Sequence, residues 1–567
     1  MNDTFGRLRS SKLATPKRSR RGSSLGGWRH ALRVGRRRGP WVAGRRRGSL
    51  LEWRGALLVV GSCVCALSGL VQCGPAERPR LFVIGLDGAT WDLIGPWMEQ
   101  GELPNLAALR EQSSWGTMNS VIPYLSPPAW TSAVTGVNPG RHNIFDFQRR
   151  LPDTGAVITE TAHSRRSPPI WNMLHGRGLE LGIVNVPMTD PPDEVDGFMV
   201  AGFPHMDAHN IAYPKSTQTM IDSLGYLIDQ MGMTLAEGEE AKKFQELWDT
   251  QEKRFEFVKS AYQRDRFDLF WVVFTGTDRV QHMFWQFDDP ESPHYSPEKA
   301  AQFGGSMLRF WKRTDELLGE LLALIPPDTW LLVISDHGFG PIHRELRVGN
   351  YIRDPESGIT AEEVPDIFAL DKSDGARLYV REAGRDPGGT RNATQRAALE
   401  AKLLESFTGV EDPEMHRPMI EAVYPKDRVF VCKFAERGPG LTLLPERTYY
   451  VSMGDMDEGF QLPWCGDVRT TLSGWHMMNG IFMLRGPHTK PGHVDRTYSL
   501  LDVVPTSMYV MEQTMAEDLE GGVMEACFSE EYLSGNEKKV AGFLNEEDRP
   551  ISPEEIARLK NLPYVGK

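Results

Sequence analysis

Cysteine is scarce in this chain of 567 residues, which has six. Cys63, Cys65 and Cys73 fall in one apolar run, and Cys432, Cys465 and Cys527 are scattered through the rest. No Cys-x-x-Cys pair or metal-like cysteine spacing occurs, which excludes a cysteine-ligated zinc module and a disulfide scaffold. At most one disulfide can form among the three scattered cysteines, and Cys432–Cys465 is a conceivable pair in an exported chain. Internal repeats are absent, which excludes a solenoid, and no long low-complexity segment follows residue 54. Strongly apolar runs are limited to one, residues 55–73, GALLVVGSCVCALSGLVQC. An excess of positive charge is confined to the start. Residues 1–54 hold 16 Lys/Arg against 2 acidic residues, a balance of +14, and because the whole chain carries −12 the remainder carries −26. A basic arm ahead of so acidic a body argues against nucleic acid as the body's partner.

What is present describes a large globular enzyme-sized chain. Hydrophobic residues make up 40% and aromatic residues 10%, and the length exceeds what one ordinary core organises. Residues 1–54 read as a disordered basic arm. Residues 55–73 read as a secretory signal, with a basic flank, a short apolar stretch and small residues at its exit. The run is short for a membrane span, and an uncleaved anchor is the alternative. Leu70-Val71-Gln72-Cys73-Gly74 resembles a bacterial lipobox with Cys73 as the lipidated residue, although Gln72 departs from the small residue of that motif. Export to the periplasm or cell surface is therefore expected, with attachment to the membrane through this segment or through Cys73.

The body alternates strands and helices. LFVIGLDG (81–88), LFWVVFTGTD (269–278) and WLLVISDHG (330–338) are apolar runs that each deliver an acid just past their end. They read as buried parallel strands, and the carboxyl edge of such a sheet is where ligands bind. LGIVNVPMTDPP (181–192) and FMLRGP near residue 484 are further strands. PNLAALREQ, 236–263 and 304–324 are helical. The fold class expected is α/β, a mainly parallel sheet flanked by helices. Residues 346–469 are loop-rich, with a polar helix near 394–406, and read as an insertion or cap. The core is then 79–345 with 470–530, and 531–567 is a C-terminal tail.

Chemistry-bearing residues collect at the strand ends. Asp278 and His282 stand four apart, so a helix after the strand puts both on one face. Asp336 and His337 are adjacent, which suits an irregular loop where strand alternation has ended. His476 stands in SGWHMMNG, and Asp87 and Ser126 complete the set. This mixture of carboxylates and imidazoles suits Zn²⁺, or Mn²⁺ where oxygen ligands dominate.

Together these motifs resemble the alkaline-phosphatase superfamily, in its type I phosphodiesterase / nucleotide pyrophosphatase branch. They are LFVIGLDGATWD, ELPNLAAL, PYLSPPAWTSAVTG, GRHNIFDF, TGTDRVQH, ISDHGFGP and SGWHMMNGIFMLRGP, with DVVPTSMYVM as the closing helix. The likeness runs from about residue 80 to 530, leaving out much of 345–470. It implies an alkaline-phosphatase-like fold and a two-metal hydrolase of phosphate esters. One ion would take Asp278, His282 and His476. The other would take Asp87, Asp336, His337 and the oxygen of the nucleophile. Val134-Thr135-Gly136 sets the register and places that nucleophile at Ser126, ahead of Thr131. A phospho-serine intermediate follows from the resemblance.

Local physics is compatible with that register. Ser126 precedes Pro127, a favoured first-turn residue, and reads as an N-cap at a helix mouth where N–H groups and the helix dipole favour an anion. The bland alternative is a cap that only stabilises the helix. Two departures separate this chain from its relatives. Nucleotide pyrophosphatases carry an Asn three residues after the nucleophile, and Ala129 stands here. Sulfatases need an Arg where Trp130 stands. The expected substrate is thus a phosphate ester, a diester first. A monoesterase, a phospho- or sulfo-transferase, a sulfatase and a non-catalytic binding module are alternatives. His142 reads as structural support, Thr131 and Ser132 as packing or solvated helix residues, and Arg149-Arg150 and Arg165-Arg166 as solvated surface. Trp91, Trp130, Trp171, Trp285 and Phe339 read as core before cleft.

Overall fold

The computed structural model describes residues 78, 80–152, 154–205, 207, 209–229, 232–371, 376–454 and 462–544. The chain divides into Met1–Pro75 and Ala76–Lys567, and only the second holds described residues. The basic arm, the 55–73 segment and Cys73 lie outside them. No helix among the described residues is long and apolar enough to cross a membrane.

The apolar runs become the strands of one ten-stranded sheet. Its main members are β1 (Leu81–Leu86), β2 (Ser114–Asn119), β3 (Leu181–Val186), β4 (Gly197–Ala201), β5 (Leu269–Phe274), β6 (Trp330–Ile334) and β9 (Asn479–Arg485). Their order is β2–β9–β6–β1–β5–β3–β4, with two-residue strands at the margins. β1 pairs in parallel with β5 and β6, so that Leu81 stands level with both Leu269 and Trp330. β3 and β4 extend the parallel set. The FMLRGP run forms β9 as expected, but antiparallel to β6 and β2.

Every residue of β1, β3 and β5 is buried, which is why these strands read as continuous apolar runs. Both faces are covered. Leu81 and Val83 face a layer holding Trp130, Val134, Trp171 and Met508, while Phe82 and Ile84 face one holding Ile94, Phe255 and Leu318. The helices supplying these layers include α1 (Trp91–Glu99), α2 (Pro104–Glu111), α3 (Ser126–Thr135), α4 (Glu240–Arg264), α5 (Gly276–Phe284), α6 (Ser306–Leu322) and, after α7 below, α8 (Val503–Val510). Gly85 lets α3 approach the sheet, since a Cβ there would come within 2.3 Å of the Trp130 ring.

Beyond β6 the chain enters β7 (Gly338–Arg347), which pairs antiparallel with β8 (Gly474–Met477) and parallel with Thr448–Ser452. Between them lies a smaller sheet with α7 (Ala393–Phe407) against it and a hydrophobic cluster of its own that includes Leu378, Leu403, Phe407 and Leu443. α7 is the polar helix expected near 394–406, started by a capping box between Asn392 and Gln395. The stretch after residue 530 opens as a helix, Glu530–Gly535, whose Tyr532 packs on Trp330 and Phe528. Cys465 and Cys527 are buried free thiols. Cys465 Sγ lies 3.4 Å from Arg344 Nη2, while Cys432 is exposed, and Cys432 and Cys465 are not bonded to each other in this structure.

Candidate metal-binding active site

In-register parallel strands end at one level, and the acids follow from that. Asp87 comes directly after β1, Asp278 lies in the first turn of α5 after β5, and Asp336 and His337 fill the gap between β6 and β7. The loops are tied to each other. Thr277 Oγ1 donates to the Asp87 carbonyl at 2.6 Å, Gln281 Nε2 to the Gly88 carbonyl at 3.0 Å and Ser335 Oγ to the Ala89 carbonyl at 2.8 Å. Gly88 has φ +67°, the left-handed conformation that favours glycine. His476 arrives differently. It stands on β8 opposite Phe339 of β7, so a second sheet folds it back over the first.

All seven residues singled out in the sequence meet here, and all are buried. Asp278 Oδ1 lies 3.3 Å from His282 Nε2, 3.4 Å from His476 Nε2 and 4.0 Å from His337 Nε2. His337 Nε2 lies 3.6 Å from Asp87 Oδ1, 3.3 Å from Asp336 Oδ2 and 3.4 Å from Ser126 Oγ. His282 Nε2 and His476 Nε2 are 3.0 Å apart. Two groups bring one donor atom from each member within 4.8 Å of one another: Asp278, His282 and His476, and Asp87, Asp278 and His337. Asp278 belongs to both, whereas the resemblance assigned it to one ion.

The donor set fits divalent cations. Each carboxylate has one oxygen occupied and the other bare. Trp130 Nε1 donates to Asp87 Oδ2 at 3.1 Å, Arg279 Nη1 to Asp278 Oδ2 at 3.0 Å and the Gly88 N–H to Asp336 Oδ1 at 3.3 Å. Asp87 Oδ1, Asp278 Oδ1 and Asp336 Oδ2 are buried without a hydrogen-bond partner. The histidines are oriented to match. His282 Nδ1 lies 2.9 Å from the Gly474 carbonyl and His337 Nδ1 lies 3.0 Å from the Gly338 carbonyl. A carbonyl only accepts, so each Nδ1 carries a proton, and in the neutral ring each Nε2 would turn its lone pair inward. Bare carboxylate oxygens and imidazole lone pairs converging in a buried space are a cation site by their chemistry.

The electrostatics agree. Burial pushes the Asp87 carboxyl well up, helped by Asp336 and Asp278. Burial likewise raises Asp336. Asp278 goes the other way: burial pushes it up, but His282, His476 and Arg279 hold it well below the usual range. Burial and the neighbouring His337 keep His476 neutral. Two carboxylates held above their ordinary values, beside a third carboxylate and an imidazole held below theirs, mark a buried cluster of interacting charges.

Ser126 departs from the expected N-cap. Leu125 holds that position, Ser126 is the first helical residue, and no side chain caps the helix. The Ser126 hydroxyl therefore does no capping and instead faces His337. The expected ring of N–H donors at the helix mouth is reduced to that of Ser126. Pro127 and Pro128 have none, and the Ala129 N–H already donates to the Leu125 carbonyl. Thr131 Oγ1 is held by the Pro127 carbonyl at 2.6 Å, and Ser132 Oγ by His142 Nε2 at 2.9 Å. Both hydroxyls are buried, so neither is solvated. His142 is neutral, lowered by burial to about 3, and ties α3 to the loop after it, consistent with structural support.

Two residues near the candidate ligands had no site role in the sequence reading. Trp130, expected to be core, is buried but also orients Asp87. Arg279 holds Asp278, and only its place beside that acid hinted at this. Arg165 and Arg166 are not solvated surface: both are largely buried, and Arg165 pairs with Asp193 at 2.6 Å. Arg149 is also half-buried and pairs with Glu160 at 3.4 Å. Phe339 packs edge-on against His282.

Comparison with known proteins bears on this arrangement. The family model "Type I phosphodiesterase / nucleotide pyrophosphatase" matches residues 81–476, from the first residue of β1 to His476. No curated protein matches the chain. Among solved structures, phosphonoacetate hydrolase from Sinorhizobium meliloti 1021, in complex with phosphonoformate, aligns with a TM-score of 0.51 at 15% identity, covering 77% of this chain and 95% of that one. Murine ectonucleotide pyrophosphatase / phosphodiesterase 5, an inactive variant in complex with AMP, aligns with a TM-score of 0.48 at 15% identity, covering 77% and 96%. At such identity the likeness concerns the fold, which is the alkaline-phosphatase-like α/β arrangement. With well over half of its length matched, the chain belongs to the type I phosphodiesterase / nucleotide pyrophosphatase family, hydrolases of phosphate esters.

Proposed function

We propose that this protein hydrolyses phosphodiesters in two displacements at Ser126, using two divalent metal ions, Zn²⁺ ahead of Mn²⁺. The observation that carries the reading is the Ser126 hydroxyl, relieved of any capping role, 3.4 Å from His337 Nε2 in a space edged by three bare carboxylate oxygens. Asp278, His282 and His476 would hold one ion, and Asp87, Asp336, His337 and Ser126 Oγ the other. Bound there, such ions lower the proton affinity of coordinated oxygen and polarise the phosphoryl group. The chain's own part is to aim the Ser126 hydroxyl at phosphorus. The bond from Ser126 Oγ to phosphorus forms as the ester oxygen leaves with a proton, giving an alcohol and a phospho-serine. Water then displaces Ser126 Oγ, releasing a phosphomonoester and restoring the hydroxyl. With two prolines in the first turn of α3 and Ala129 behind them, backbone and side chain of that turn supply little to the phosphoryl oxygens. Trp130 speaks against sulfate esters, because its indole is buried and committed to Asp87.

Purified protein loaded with Zn²⁺ or Mn²⁺ should cleave bis-p-nitrophenyl phosphate faster than p-nitrophenyl phosphate, and both faster than p-nitrophenyl sulfate. A faster monoester reaction would make it a phosphatase. No turnover of any ester with any divalent metal would sink the hydrolase reading in favour of a binding module. We also read the protein as exported and membrane-attached through residues 55–73 or a lipidated Cys73. Mass spectrometry of the mature N-terminus checks this, and an unprocessed start at Met1 in a soluble fraction contradicts it.

A further inference from the structure

We infer that Arg279 is a positioning residue for the metal centre, clamping one oxygen of Asp278 so that the other alone faces the ions. This rests on the two-ion reading above. Arg279 follows Asp278 on α5 and is 4% exposed. Its Nη1 donates to Asp278 Oδ2, leaving Oδ1 as the atom that approaches His282, His476 and His337. An unclamped carboxylate can turn about its last bond and exchange its oxygens. A partial turn away from the observed position would break the contact between Oδ2 and the buried guanidinium.

The clamp has its own frame, drawn from other parts of the chain. The guanidinium lies over the Phe203 ring, 4.8 Å from its centre, and its Nη1 is 3.1 Å from Met233 Sδ. Phe203 comes from the loop after β4, Met233 from the connection leading to α4. Behind it is a buried pair, Asp229 with Arg254, at 2.9 Å. Thr275, at the start of α5, binds both partners, at 2.5 Å to Asp229 and 2.9 Å to Arg254. Asp229 and Arg279 line one cavity of about 10 Å³ with Gln251 and Arg254, the volume one water needs. Asp229 Oδ2, Gln251 Nε2 and the Nε and Nη2 atoms of Arg279 are buried there without protein partners. Arg279 thus stands between Asp278, its neighbour on α5, and a second buried ion pair formed by Asp229 ahead of α4 and Arg254 on α4, which Thr275 ties to the start of α5.

The test is Zn²⁺ binding by full-length Arg279→Met and Arg279→Gln, measured by competition with a fluorescent chelator. The near-UV circular dichroism of each metal-free protein is recorded alongside. Removing such a supporting contact costs about 10- to 100-fold in metal affinity. The Zn²⁺ ion held by Asp278, His282 and His476 should weaken by that factor. Gln should lose less than Met because its amide can still donate to Oδ2. Turnover of bis-p-nitrophenyl phosphate should fall in kcat with little change in KM. Unchanged affinity for both ions in the Met variant overturns the inference. So does loss of the near-UV signal, which would make Arg279 a fold-holding group. A parent protein that binds no zinc would overturn the two-ion reading itself, a separate outcome.

Discussion

Ser126→Ala should reduce kcat on bis-p-nitrophenyl phosphate by at least about 10³-fold, the scale on which removal of a nucleophile acts, while leaving the melting midpoint nearly unchanged. The two halves of this expectation have different grounds. The catalytic half follows from the hydroxyl facing His337 and the bare carboxylates. The stability half follows from what the hydroxyl does not do. Removing a capping serine costs about 1 kcal/mol, but Ser126 caps nothing. Thr131→Ala is the companion variant. Its Oγ1 is committed to the Pro127 carbonyl, so activity should persist with a small loss of stability. Normal turnover in Ser126→Ala with an inactive Thr131→Ala would move the nucleophile to the other hydroxyl.

Metal removal should have the next largest effect, and Asp87→Asn shows why. Chelation should abolish turnover, and Zn²⁺ should restore it. In the metal-free protein the buried Asp87 carboxyl has its folded value raised by burial, Asp336 and Asp278. The folded state then holds a proton that the unfolded chain has released. Stability is therefore lost as pH rises from the ordinary carboxylate value of about 4 through the raised value. Metal-free Asp87→Asn, neutral at every pH, should melt above the metal-free parent at pH 7 to 8. The gap should close as pH falls below about 4. Zinc should reverse the order, because the parent gains about 2.7 kcal/mol at 100 times its dissociation constant and the variant has lost a ligand. The same ranking with and without zinc would remove Asp87 from the metal centre. A centre that opposes folding until loaded is the usual relation between an active site and stability.

The strands were legible because burial on both faces leaves an unbroken apolar run, as in LFVIGL and LFWVVF, and a following acid marks the carboxyl edge. Asp278 and His282 were legible because helix geometry is local: four residues on is one turn on. His476 was readable only through its motif. Its arrival depends on β8 pairing with β7, a contact across more than a hundred residues that no periodicity records. The direction of β9 was hidden for the same reason, since a buried strand reads alike in either direction. Ser126 meets the other candidate residues as expected but without the expected local role. The cap fell one residue earlier, and the two prolines stripped the helix mouth of two of the donors that a serine ahead of a helix ordinarily accompanies.

The sequence by itself determined the α/β layering, the carboxyl edge at which ligands gather and the seven side chains brought there, because each depends on spacing over a few residues or on an ordered set of motifs. Only the tertiary structure decided which oxygen of each carboxylate is bare, that Asp278 stands between both groups of donors, and that Trp130 and Arg279 do the orienting. Those facts depend on hydrogen bonds between residues far apart in the chain, or on which side of a helix turns inward. They exist only once β1, β5 and β6 are in register and β7 and β8 have closed over them.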